Sequence, residues 1–138
     1  MNQENIAELI KWYEQLNLLN LNQINNFYSQ DAYFRDPFHE LFDLKSLILL
    51  YEDMFKKIDN PRFTITNTFT NEKELVLFWD FKFIAFKKEM IISGNTLFKF
   101  NSEGKINYHL DYWDSVSELW NKTPVLGKII RTFYKIIF

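Results

Sequence analysis

A chain of 138 residues that is 47% hydrophobic and 25% charged has the size and balance of one ordinary globular domain. A formal net charge of −2, with 16 Lys and Arg scattered along the chain, excludes the basic face of a nucleic-acid binder. The absence of cysteine excludes disulfide staples, thiolate catalysis and cysteine-ligated metals, and together with an acidic N-terminus that lacks an uninterrupted apolar run it predicts a cytoplasmic protein.

Ile6, Leu9, Ile10, Tyr13 and Leu16 recur at helical spacing and predict an amphipathic helix from about Asn5 to Leu18. A short second helix is expected over Leu21 to Tyr28. Ala32 to Asp36 reads as an extended piece ended at Pro37, because the residue before a proline avoids the helical region. Asp43 is placed to cap a third helix, Leu44 to Ile58, whose apolar side carries Leu47, Ile48, Leu50, Tyr51, Met54 and Phe55. Asn60-Pro61 stops that helix, and the hydrophobic period then changes from about 3.6 to about 2. Four strands follow, Arg62 to Thr70, Glu74 to Phe86, Glu89 to Phe100 and Ile106 to Asp114, and their short connections force antiparallel neighbours. Ser115 to Trp120 and Val125 to Ile137 read as two terminal helical pieces, with Asp114 as the cap of the first. Helices followed by a run of hairpins predict a single α+β domain over 1–138, with the N-terminal helices packed on one face of a strongly curved, mostly antiparallel sheet.

The last strand, INYHLDYWD, places Tyr108, Leu110 and Tyr112 on one face and Asn107, His109, Asp111 and Trp113 on the other. Ionisable groups on a face that should be core are the mark of a lined pocket. The hairpins fix the expected neighbours. A two-residue turn at Lys87-Lys88 pairs Phe86 with Glu89, setting Phe81 opposite Gly94 and Trp79 opposite Thr96. A four-residue turn over Asn101 to Gly104 sets Thr96 opposite His109 and Gly94 opposite Asp111. Glycine inside a strand marks a bend or a close approach, here assigned to a ligand beside Asp111.

Asp111 and His109 are therefore the first candidates for acid–base chemistry, with Trp79, Phe81, Thr96, Phe98 and Trp113 as pocket wall. His109 has the structural alternative of a satisfied core histidine. Two histidines without a third ligand, and with no HxH or HExxH spacing, predict no metal, and no cofactor is expected. Asp80 and Lys82 fall on the opposite face, where a solvated ion pair is the simpler reading.

The order of helix, short helix, Phe-Arg-Asp-Pro-Phe at 34–38, third helix and four antiparallel strands ending in Asp-Tyr-Trp-Asp resembles the nuclear transport factor 2-like superfamily. That group includes ketosteroid isomerases, SnoaL-type polyketide cyclases and limonene epoxide hydrolases, and the resemblance implies their cone-shaped α+β barrel over nearly the whole chain. It implies further that Asp36 sits where the isomerases keep their general-base aspartate, and that Asp111 matches the last-strand base of the epoxide hydrolases. Two departures accompany it. Thr96 stands where the isomerases carry their oxyanion acid, and Trp12 where they carry a first-helix tyrosine, with Tyr13 as the neighbouring substitute. The epoxide-hydrolase Arg-x-Asp corresponds to Asp80-Phe81-Lys82, reversed in charge order and pointing outward.

These residues predict a pocket for a small hydrophobic, oxygen-bearing molecule, in which Asp111 or Asp36, assisted by His109 or His39, moves a proton in an isomerisation, a cyclisation or an epoxide opening. The alternatives are a non-catalytic binding module and a dimeric scaffold. Val76, Phe78, Ile84, Phe86, Ile91, Leu97, Ile106, Tyr108, Leu110 and Tyr112 all fall on the outer face, which is too apolar for open water and predicts a homodimer. The C-terminal segment at about 124–137 forms a basic amphipathic helix too short to span a bilayer, which closes a pocket mouth or docks on a partner subunit, with peripheral membrane contact as the lesser alternative.

Overall fold

The structure, a computed structural model, describes residues 3–85, 87–118, 127–129, 131–132 and 136. Helix α1 spans Gln3–Glu14 and buries Leu9, Trp12 and Tyr13, one stripe of the expected repeat. The second predicted helix is a short 3-10 helix, Leu21–Asn26, and Tyr28 already opens strand β1, Tyr28–Arg35. Strand β2 is only Glu40–Leu41. Helix α2, Leu44–Lys57, is capped as expected, the Asp43 carboxylate accepting from the Ser46 N–H at 2.7 Å. Strands β3 (Asp59–Thr70), β4 (Glu74–Ala85), β5 (Lys88–Phe100) and β6 (Ile106–Trp113) follow, then helix α3, Ser115–Glu118, capped by Asp114 through the Val116 and Ser117 N–H groups. The C-terminal helix expected at 124–137 lies largely outside the described residues.

The six strands form one mixed sheet in the order β2-β1-β6-β5-β4-β3. It is antiparallel except for β1 against β6, because β1 reaches the sheet before the helical crossover of α2 and the β3 to β6 meander. The sheet is open, ending at β2 and β3, rather than closed into a barrel. At the β3 margin the Ile65 N–H, beside a register shift, donates to the Glu14 carboxylate of α1 at 3.0 Å. The core lies between the concave face and the buried stripes of α1 and α2, around Leu9, Leu47, Leu75, Leu77 and Phe98.

Both hairpins settle two residues away from the expected pairing. The tight turn lies between Ala85 and Lys88, with Lys87 at φ 61, so Trp79 faces Gly94 and Leu77 faces Thr96. A bulge between Lys99 and Phe100 shifts the second pairing, so Phe98 faces His109 and Thr96 faces Asp111. A slide by two leaves every side chain on its face, whereas a slide by one would invert the sheet. Next to the bulge the alternation does invert: Ile106, expected outside, is fully buried, and Asn107, expected inside, is exposed.

Candidate functional site

A cavity of about 480 Å³ opens between the concave face and α2, within the usual range for small-molecule sites. Its walls are mostly apolar. Phe63, Trp79, Phe81, Phe83 and Ile92 line it from the sheet, and Leu50, Met54 and Ile58 from α2 and its end. Against this wall one cluster of polar groups gathers from five elements: Tyr13 of α1, Tyr51 of α2, Thr96 of β5, and His109 and Asp111 of β6 line the cavity, with Tyr28 of β1 directly behind them.

Asp111 is held by one oxygen. Trp79 Nε1 donates to Thr96 Oγ1 at 2.8 Å, and the Thr96 hydroxyl, having a single proton, donates to Asp111 Oδ1. His109 Nε2 lies 2.9 Å from the same Oδ1. Among the described residues no hydrogen bond reaches Oδ2, the second oxygen of a side chain that lines the cavity and keeps 18% exposure. The imidazole is 1% exposed, enclosed by Phe34 and Phe98 at ring distances of 4.7 and 4.8 Å, so its orientation is fixed by packing as well as by hydrogen bonds.

Behind it, His109 Nδ1 meets the Tyr28 hydroxyl at 2.8 Å, Tyr28 meets Tyr13 at 2.6 Å, and Tyr13 meets Tyr51 at 3.1 Å. Burial is the main reason the Tyr13 and Tyr28 phenols are pushed well above the ordinary tyrosine range; neighbouring phenols and the Asp111 charge add to it. Tyr51 is raised for the same first reason, with Asp111 next. All three hydroxyls therefore keep their protons.

At the rim, Asp36 is occupied in shaping its own turn. Its Oδ1 accepts the N–H groups of Phe38 and His39 at 2.7 and 2.6 Å, and both oxygens lie 3.0 Å from His39 Nδ1. Asp53 and Lys57 of α2, paired at 3.2 Å, also line the cavity. Among the described residues no group of three or more His, Asp or Glu is arranged to hold a metal ion.

Of the residues singled out from the sequence, Tyr13, Asp36, His39, Trp79, Phe81, Thr96, His109, Asp111 and Trp113 all line this one cavity. Phe98 does not: it is fully buried behind the wall, supporting His109 and Tyr13. Gly94 is approached by the Trp79 indole rather than left open for a ligand; a Cβ there would lie 2.5 Å from Trp79 Cη2. Asp80 binds the Ser93 hydroxyl at 2.6 Å and takes no part in the cavity. Tyr28 and Tyr51 were missed as functional residues. Their signal was a hydroxyl within an apolar stripe, which must find a partner once buried.

The SnoaL-like domain profile matches residues 9–109 of the chain. No curated protein matches it. Among solved structures it resembles a protein of ketosteroid isomerase-like fold from Catenulispora acidiphila at 16% identity and a TM-score of 0.68, covering 78% of this chain and 85% of that one. A candidate SnoaL-like polyketide cyclase from Shewanella putrefaciens is similar at 18% identity and a TM-score of 0.68, over 86% and 97% of the two chains. An LEH-like epoxide hydrolase from M. tuberculosis is similar at 10% identity and a TM-score of 0.66, over 82% of each. At these identities the likeness is one of fold.

Proposed function

The chain belongs to the SnoaL-like domain family, and from that premise we propose that it binds a small, largely apolar carbonyl compound in the cavity and moves a proton on it with Asp111 as base. The observation that carries this reading is the state of the Asp111 carboxylate: Oδ1 is fixed by Thr96 and His109, and Oδ2, beside an apolar wall, has no hydrogen-bond partner among the described residues. A fixed base next to a poorly hydrated space abstracts a proton from carbon without first shedding a water shell. The electron pair left behind moves onto the carbonyl oxygen, which the Tyr13 and Tyr51 hydroxyls are placed to receive.

Isomerisation and aldol-type cyclisation share this first step. Epoxide opening is the weaker fit, because Asp80 is engaged with Ser93 outside the cavity and leaves Asp111 without a second catalytic carboxylate on its strand neighbours. Asp36, with both oxygens engaged by His39 and the turn, is assigned to holding the rim.

The test is exchange of the methylene protons of benzoylacetone in deuterated water, followed by NMR. The wild-type chain accelerates exchange and Asp111→Asn loses about 100-fold or more of that acceleration, the usual contribution of a general base. Equal exchange in both proteins overturns the assignment.

A homodimer through the outer sheet face belongs to the same proposal. Phe69, Phe78, Ile84, Ile91 and Tyr112 are exposed there, Tyr112 at 55%. Sedimentation of the wild-type chain as a dimer and of Phe78→Glu as a monomer is expected; a wild-type monomer at micromolar concentration refutes it. Cytoplasmic residence is proposed with it, on the cysteine-free composition. Among the described residues no helix is long and apolar enough to cross a membrane.

A further inference from the structure

Two indoles flank the Asp111 carboxylate. Trp79 of β4 lays its ring over β5 where Gly94 has no side chain: Cη2 and Cζ2 lie 2.5 and 2.7 Å from the place a Cβ would take, and Nε1 donates to Thr96 Oγ1 at 2.8 Å. Thr96 is the strand partner of Asp111 and Gly94 that of Trp113, so this ring lies next to both. Trp113 follows Asp111 by two residues on the same face of β6, and its ring packs at a steep angle against Phe38, centroids 5.5 Å apart. Trp79, Asp111 and Trp113 all line the cavity.

The charge of the lining selects against anions. Among the described residues it carries three carboxylates, Asp36, Asp53 and Asp111, against one lysine, and Lys57 is already paired with Asp53 at 3.2 Å. His109 approaches Asp111 at Oδ1, which leaves Oδ2 without a counter-charge. A carboxylate beside an apolar wall is costly until a cation meets it, and aromatic rings, tryptophan above all, attract a cation to their faces. The count of donors then selects the cation. A primary ammonium brings three N–H groups and leaves two of them seeking acceptors among indole rings. A tertiary ammonium brings one N–H for the one free oxygen and three alkyl arms for the walls.

We propose that the cavity takes a tertiary alkylammonium ion, its N–H donating to Asp111 Oδ2 and its alkyl arms lying against Trp79 and Trp113. A cavity of about 480 Å³ exceeds the volume of such a head, so one arm is long enough to lie along Phe81, Phe83 and Ile92. This ligand shares the cavity and Asp111 with the proposed carbonyl chemistry and goes beyond it, because binding needs Asp111 as a counter-ion and not as a base. A bound ammonium occupies the oxygen that would receive a proton from carbon, and the two ligands exclude each other.

The experiment titrates the wild-type chain at neutral pH with three probes of similar size, followed by the indole N–H resonances of its 4 tryptophans. Protonated dimethylethanolamine is the tertiary ammonium, choline the quaternary one, and isoamyl alcohol the uncharged carbon isostere of the first. Dimethylethanolamine is expected to bind about tenfold or more tighter than isoamyl alcohol and to move the Trp79 signal, with choline, which has no N–H, between them. Equal affinity for the ammonium and the alcohol, or no shift with the ammonium, overturns the proposal without any variant. In Asp111→Asn the preference for the ammonium disappears; a preference that survives places the cation at Asp36 or Asp53 on the rim and also overturns it. Trp113→Leu, which keeps an apolar wall without a π face, weakens dimethylethanolamine more than isoamyl alcohol, and equal loss of both counts against the indole contact. The two readings fail separately. Ammonium binding without accelerated benzoylacetone exchange leaves this inference standing and refutes the carbonyl one, and accelerated exchange without ammonium preference does the reverse.

Discussion

Replacing Gly94 by Ala sets two opposed effects against each other, and their sizes decide the sign. An alanine narrows the unfolded ensemble, which stabilises a fold by about 0.4–1 kcal/mol where the backbone accepts it. Against that, the new Cβ would lie 2.5 and 2.7 Å from Trp79 Cη2 and Cζ2 and 2.8 Å from the Tyr112 carbonyl oxygen. The indole could swing away, but the carbonyl belongs to the paired strand and cannot move alone. Overpacking of this kind costs about 1–3 kcal/mol. A displaced indole also strands the Nε1–H that serves Thr96, which costs about 1–3 kcal/mol more. The net is a loss of about 1–6 kcal/mol, and at about 3–4 °C per kcal/mol for a chain of this length the midpoint falls by about 3–22 °C. Thermal unfolding followed by far-ultraviolet circular dichroism reads this directly. A double-mutant cycle with Trp79→Leu should show strong coupling, because the substitution removes two of the three close contacts. A Gly94→Ala chain that melts at or above the wild-type temperature refutes the reasoning.

Phe98→Ala, at a fully buried position, should cost about 3–5 kcal/mol and, by loosening His109, reduce proton exchange in any stable fraction; near-wild-type chemical denaturation would contradict it. The phenols of Tyr13, Tyr28 and Tyr51 have higher pKa values folded than unfolded, so their contribution is complete below about pH 10 and is lost as pH rises further. Absorbance at the tyrosinate band should accordingly show these three ionising only together with alkaline unfolding, and free titration in the folded chain would refute it. The Asp43 carboxyl is held low by the Ser46 backbone N–H and hydroxyl, so its cap persists above the ordinary aspartate range and is lost as pH falls through its lowered value. Asp43→Ala should lower the midpoint at neutral pH and leave it unchanged in strong acid, as compared by melting at the two conditions.

Element identities were legible where the period was strong. The α2 stripe with its Asp43 cap, the four long strands and the inward set of His109 and Asp111 follow from spacing alone, since a two-residue slide conserves faces. What spacing could not give was the exact partner. The turn beside Lys87, at φ 61, and the bulge between Lys99 and Phe100 are decided by backbone angles that have no strong local signature. Tyr28 shows the limit most clearly. Its place in β1 beside β6 depends on a parallel pairing across about half the chain, so its bond to His109 was invisible to any local window.

Glu14 gives the open sheet its last consequence. By occupying the Ile65 amide at the outer margin, its carboxylate removes a docking point that a stray extended peptide would otherwise use. The first helix thus acts as a selvedge: its carboxylate binds off the hem of the sheet at the one amide where a stranger's thread would otherwise catch.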